Sequence, residues 1–244
     1  MSGAQLYLEP TWQPPPGVRA LCTLRSAGSF GPGEAQQRAQ RVQAMGLPGV
    51  PVWLRQVHGI AVADLDAPGD FALPPVADAA VTVRPGVVCA IQTADCLPVL
   101  LAAADGSAVA AAHAGWRGLA AGVIEATLAG LRARIPAPVP LVAWLGPAIS
   151  AAHFEVGEEV RRAFLAVDPQ DAMAFVPNER GRWQCDLYQL ARNRLARAGI
   201  GEVAGGEHCT WAEVARFYSH RRDTCGGHGR TTGRMATLIW RDGS

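Results

Sequence analysis

The pattern of apolar and polar positions divides the chain into short strands and a few amphipathic helices. Two largely apolar runs, Leu97–Ala103 and residues 107–112, flank Asp105-Gly106. Gly accepts positive φ without steric cost, so this pair predicts a hairpin turn between two strands. Further strands are predicted over 18–24, 50–54, 79–83, 87–93, Leu141–Leu145 and 235–240, with a Pro85-Gly86 turn between 79–83 and 87–93. Residues 1–17 read as an edge strand followed by a loop, because Pro14-Pro15-Pro16 cannot continue a ladder. Residues 26–33 read as a loop and 64–75 as turn-rich.

Helical spacing runs over 34–45, ending at Gly46. It recurs over 118–134, where Leu119, Val123, Ile124, Leu128 and Leu131 share one face. A third helix is expected over 156–167. A fourth opens at Asp186, an N-cap with Gln189 at the third helical position, and stops at Gly199 after Ala198. Strands and helices are interspersed and hairpins are frequent, so α+β or a mixed-sheet α/β arrangement fits better than a plain doubly wound sheet. No shift in composition argues for a second domain within residues 1–244.

Composition narrows the function classes. With 22 basic and 21 acidic residues the net charge is +1, so no global field attracts nucleic acid or a membrane surface. The first residues lack a basic segment followed by an apolar one, and no apolar stretch is long enough to span a bilayer, so a cytoplasmic location is expected. Six cysteines in a chain this long do not make a disulfide framework; reduced thiols or metal ligands are expected.

The predicted hairpin brings chemistry to one place. Cys96 precedes it and His113 ends it, just before Gly115-Trp116-Arg117-Gly118 turns into a helix. With His58 they form a set of two imidazoles and one thiol, which suits zinc and leaves a fourth tetrahedral position for water or substrate. Pattern alone leaves two readings open, a shared site or three packed core residues. Asp95 beside Cys96 reads as a partner for a ligating His, a general base or a turn cap. The helix start at 115–118 offers free N–H groups to an anion, with Arg117 either adding charge or lying on the surface. Arg221, Arg222, Arg230 and Arg234 form a basic cluster, of which Arg222 and Arg234 are the expected anion contacts. Cys209, His220, Cys225 and His228 are too irregularly spaced for a second metal site, and His153 and His208 carry no argument.

Longer motifs go further. Gln56-Val57-His58-Gly59, Thr93-Ala94-Asp95-Cys96-Leu97-Pro98-Val99-Leu100 and Ala112-His113-Ala114-Gly115-Trp116-Arg117-Gly118 resemble the signatures of the YfiH-like family. Its members are also called laccase-domain or multicopper polyphenol oxidase-type proteins, peptidoglycan editing factors and laccase-domain purine nucleoside phosphorylases. Trp144-Leu145-Gly146-Pro147-Ala148-Ile149, Phe154-Glu155-Val156-Gly157, Cys185-Asp186-Leu187, Cys209-Thr210, the run Phe217 to Asp223 and Thr232-Gly233-Arg234-Met235-Ala236 match too, so the likeness covers nearly the whole chain from about residue 18. The resemblance implies an α+β fold of layered mixed sheets and helices, with zinc on His58, Cys96 and His113. It further implies phosphorolysis of adenosine, inosine and methylthioadenosine, with some adenosine deamination. From the residues themselves, Cys96, His113 and Asp95 are the expected catalytic groups, and Gln56, Arg117, Arg222 and Arg234 the expected substrate contacts. The chain departs from the family in a shortened segment after Thr23-Leu24-Arg25 and an enlarged loop over 224–230.

Three readings result. The leading one is a zinc-dependent purine nucleoside phosphorylase. The second is a metal-free amidase acting on a peptidoglycan precursor, with Cys96 as nucleophile and His113 as base. The third is a binding protein with a structural zinc, disfavoured because no fourth ligand accompanies the three. Six histidines are too few for the copper cluster of a conventional laccase. A single copper at the His₂Cys set ranks below zinc. Oligomeric state is left open.

Overall fold

The computed structural model describes residues 5–68, 71–136, 138–224 and 232–243. The strands are β1 (Tyr7–Leu8), β2 (Val18–Thr23), β3 (Val62–Asp64), β4 (Ala79–Thr82), β5 (Cys89–Thr93), β6 (Leu97–Ala103), β7 (Val109–Ala114), β8 (Leu141–Leu145), β9 (Glu155–Val156), β10 (Phe175–Pro177), β11 (Trp183–Cys185), β12 (Glu202–Gly205) and β13 (Met235–Arg241). The helices are α1 (Ala35–Ala44), α2 (Trp116–Ala121), α3 (Val123–Arg132), α4 (Glu158–Leu165), α5 (Leu187–Arg197) and α6 (His220–Thr224). None of the described helices is long and apolar enough to cross a membrane.

A six-stranded sheet runs in the order β12-β8-β6-β7-β4-β3, antiparallel at its centre and parallel at both edges. An antiparallel sheet, β1-β2-β13-β5, packs on one face of it, and a small antiparallel sheet, β10-β11-β9, adds Val156, Phe175 and Cys185 to the core on the other. The side-chain period of two sorts β6 between two cores. Leu97, Val99, Leu101 and Ala103 pack with Val123, Ile124, Leu128, Leu190 and Leu195 of α3 and α5. Leu100 and Ala102 pack instead with Ile91, Met235 and Ile239 of the four-stranded sheet. Both faces of β6 are therefore dry, which is why it reads as a continuous apolar run. The outer face of the four-stranded sheet places Val88, Ala90, Ala236 and Leu238 against Phe30 and against Val42 and Met45 at α1. The layers are helix, sheet, sheet, helix: the expected α+β class.

The hairpin forms in the expected register, from Leu97 opposite Ala114 to Ala102 opposite Val109, although its second strand sits two residues later than expected. Its tip packs against the proline-rich segment; Gly106 has φ +75°, and a Cβ there would lie 2.0 Å from the Pro16 carbonyl oxygen. Residues 1–17 do supply an edge strand, β1, and Asp186 does cap α5, accepting from Gln189 N at 3.0 Å.

Two expectations are corrected. The helix over 118–134 is two helices, broken where Gly122 takes φ +101°. Residues 50–54 form no ladder, only a bridge from Val52 to Cys89, because Pro51 has no N–H to offer and Val52 N alone bonds across, to Val88 O at 2.9 Å. Strands β3 and β9 to β12 and helix α6 had no expectation. β4 and β5, although separated by a short turn, join different sheets.

Gly106→Ala and Gly122→Ala separate strain from collision. At Gly122 the added Cβ would meet only Glu125 Oε2, at 3.5 Å. That variant should lose about 1–2 kcal/mol. Gly106→Ala adds a backbone clash and should lose at least about 3 kcal/mol in denaturant unfolding.

Candidate metal centre and adjoining cavity

His113 is on β7, where the strand period puts it on the face shared with Val109 and Ala111, toward the four-stranded sheet. Cys96 lies one residue before β6 begins pairing, so both arrive at the open end of the hairpin, as the turn predicts. His58 comes from a loop and has φ +62°, a backbone state that a non-glycine residue keeps only when its surroundings hold it.

Asp78 does the holding. This fully buried carboxylate, just before β4, accepts from Val57 N at 3.1 Å, His58 N at 2.9 Å and Gly59 N at 2.7 Å. Its Oδ1 also meets His113 Nδ1 at 2.8 Å, and its backbone carbonyl accepts from His113 N at 2.7 Å. With Nδ1 engaged, Nε2 is the nitrogen that His113 presents to the site. Burial works against the charge on Asp78, but the His113 contact and the amide donors outweigh it and hold its pKa below the usual carboxylate value.

One ligand atom from each of His58, Cys96 and His113 lies within 4.8 Å of the others. Cys96 Sγ is 3.8 Å from His58 Nε2, and the two imidazoles meet edge to face, 4.7 Å between centroids. Tetrahedral zinc, with bonds of about 2.0–2.3 Å, holds its donors roughly 3.4–3.7 Å apart, so the set fits such an ion after small adjustments. Glycine is required alongside for space alone. A Cβ on Gly115 would sit 2.8 Å from His58 Cδ2 and 3.0 Å from Cys96 Sγ, and one on Gly118 2.8 Å from the Gly59 carbonyl oxygen. Among the described residues no other His, Cys, Asp or Glu group has metal-binding spacing.

Burial alone would raise the Cys96 pKa, but the positive His113 and hydrogen bonds from both histidines bring it down to about 6. Burial likewise opposes charge on His113, which Cys96 and Asp78 push up to about 9. The mutual attraction of the two groups, with Asp78 behind His113, favours the thiolate–imidazolium form when no metal is bound.

The triad opens into a cavity of about 620 Å³, within the usual range for a small-molecule site. Trp53, Gln56 and Gln92 form part of its wall, and Arg38, Arg55 and Arg234 bring positive charge to it. Gln56 and Gln92 are clamped together, with Gln56 Nε2 donating to Gln92 O at 2.9 Å and Gln92 N donating to Gln56 Oε1 at 2.8 Å.

The other expected site residues are placed as follows. Asp95, at φ +86°, accepts from Thr210 Oγ1 and from Arg221 N, each at 2.6 Å. Its carboxylate thus ties Cys96 to the C-terminal segment, while Asp78 is the carboxylate partner of His113. Arg222 donates to Asp223 and to the carbonyls of Thr210, Trp211 and Phe217, which occupies its guanidinium. Arg117 is exposed and stacks on Trp116, outside the cavity lining. Arg234 lines the cavity and also donates to the Thr232 and Gly233 carbonyls. Cys225, His228, Arg230 and most of the 224–230 loop lie outside the described residues. The sequence reasoning missed Asp78, whose one signal was a lone carboxylate entering an apolar strand, and Trp53 and Arg38, which had none.

Known proteins agree with this architecture. The family described as multi-copper polyphenol oxidoreductase laccase matches residues 33–242. A Xylella fastidiosa protein named purine nucleoside phosphorylase is 48% identical, covering 94% of each chain. Purine nucleoside phosphorylase YfiH of Escherichia coli is 44% identical over 95% of this chain and 97% of its own. The crystal structure of Neisseria meningitidis protein NMB0706 superposes with a TM-score of 0.84 at 42% identity, covering 98% of this chain and all of that one. YlmD from Geobacillus stearothermophilus also gives 0.84, at 28% identity over 100% of this chain and 98% of its own. Sequence and fold together place this chain in the laccase-like YfiH family of enzymes.

Proposed function

We propose that this chain is a zinc-dependent purine nucleoside phosphorylase acting on adenosine, inosine and methylthioadenosine, with adenosine deamination as a secondary activity of the same site. The observation that carries the reading is the three-donor set opening into a cavity with aromatic and cationic walls. The relatives named purine nucleoside phosphorylase support it. A zinc ion on His58, Cys96 and His113 would supply Lewis-acid polarisation at the cavity floor.

The remaining work falls to the chain's own residues. In phosphorolysis a phosphate oxygen attacks the ribose anomeric carbon as the bond to the purine breaks. The dianion needs charge neutralisation, which Arg38, Arg55 and Arg234 offer from the wall. Trp53 provides a flat apolar face for a base, although Arg38 stacks on it, 4.7 Å from the ring centroid. Asp78 fixes the His113 ring and the His58 backbone, so neither must reorganise during the reaction. Copper at the same donors is the lesser reading of the cofactor.

The thiolate–imidazolium pair favours one alternative, a Cys96 nucleophile with His113 as its proton carrier in an amidase. Metal dependence separates the two. Wild type should carry one zinc per chain by elemental analysis and release base from adenosine only with phosphate; Cys96→Ala should lose both. Full activity in metal-free wild type would overturn the zinc requirement. Absence of phosphate-dependent base release from the zinc-loaded protein would overturn the phosphorylase reading, and Cys96-dependent amide hydrolysis by the metal-free protein would install the amidase.

Two further outcomes follow from the site. Asp78→Asn keeps the shape but removes the charge behind His113, and should weaken zinc binding by about 10–100-fold in a chelator competition. At about pH 8 Cys96 is already ionised while His113 still holds its proton, so zinc uptake should release about one proton per ion. Affinity should rise with pH up to about 9, where His113 loses that proton unaided. Calorimetry in buffers of different ionisation enthalpy counts the protons.

A further inference from the structure

A second cysteine stands in built surroundings away from the triad. Among the described cysteines, Cys22, Cys89 and Cys185 are buried, and only Cys96 and Cys209 reach solvent. Three groups converge on the Cys209 sulfur. Ser150 Oγ donates to it at 3.1 Å, Ser150 N at 3.5 Å, and His153 Nδ1 lies 3.5 Å away. His153 is held flat against Trp211, with 4.0 Å between ring centroids and an interplanar angle of 18°. The Cys209 backbone is pinned by its N–H to Glu213 Oε1 at 2.8 Å and by a bridge to Ala148.

This is the constellation of a nucleophilic thiol: a half-buried cysteine, a base beside its sulfur, and hydroxyl and amide donors to stabilise developing charge. We propose that Cys209 is a thiol-exchange site that takes low-molecular-weight disulfides, with His153 as proton acceptor and Ser150 as donor to the sulfur. The Cys209 sulfur attacks one sulfur of the reagent, a new S–S bond forms and the old one breaks. The departing thiolate recovers the proton that His153 took from Cys209, so the step balances without a further oxidant. The modified residue adjoins Thr210, whose hydroxyl holds Asp95 beside Cys96. The site needs none of the metal ligands, so the proposal stands independently of the phosphorylase reading.

The test uses the full-length protein with dithio-bis-nitrobenzoate near neutral pH, following each cysteine by peptide mass mapping. Cys209 should react at least about threefold faster in the folded protein than in the same chain unfolded in urea. His153→Gln and Ser150→Ala should each slow it at least threefold while Cys96 labelling and the melting temperature stay unchanged. Labelling of folded Cys209 at or below the unfolded rate, or at the wild-type rate in both variants, would overturn the proposal.

Discussion

The His58–Cys96–His113 triad depends on one buried carboxylate. Asp78 accepts three consecutive backbone N–H groups of the His58 loop and the ring N–H of His113. Hydrogen bonds to a charged acceptor contribute about 1.5–3 kcal/mol each, whereas a non-glycine residue at positive φ costs about 1–3 kcal/mol. The amides of this loop are therefore enough to hold His58 in a backbone state it would otherwise leave. Because the same carboxylate orients His113, two of the three donors answer to one side chain.

The layering explains why this happens where it does. β5 belongs to one sheet and the β6–β7 hairpin to the other, and their neighbouring ends bring Gln92, Thr93, Cys96 and His113 to one cavity. Elsewhere the two sheets are sealed by Leu100, Ile91 and Ile239. Asp95 completes the frame from the far side, taking the Thr210 hydroxyl and the Arg221 amide and so fastening the C-terminal segment beside Cys96. The two acidic residues have different duties. Asp78 sets donor geometry, and Asp95 sets which segment lies next to the thiol.

What could be read from the sequence was local. The Asp105-Gly106 turn gave the hairpin and with it the meeting of Cys96 and His113, because register follows from turn and period. The Asp186 cap and the buried strand β8 were legible for the same reason. The break at Gly122 was not, since one glycine within an apolar helical face does not declare its φ. Arg222 looked like an anion contact because composition shows a charge but not the carbonyls that engage it. Asp78 stayed hidden because its four partners lie 19 to 35 residues away, and no spacing rule relates a strand entrance to a distant loop.

The cavity draws its floor and its wall from different kinds of structure. Cys96 and His113 are anchored to paired strands, whereas Trp53 and Arg55 belong to a stretch held by two isolated bridges, Val52 to Cys89 and Arg55 to Val76, and Arg38 rides on a helix with no fully buried residue. Substitutions at Arg38 and Arg55 in the wall disturb few ladder bonds and little core, whereas substitutions in the floor disturb both. Selection can therefore retune which molecule is admitted without renegotiating how Cys96 and His113 are held. One scaffold can in this way come to serve several chemistries, each written into its periphery.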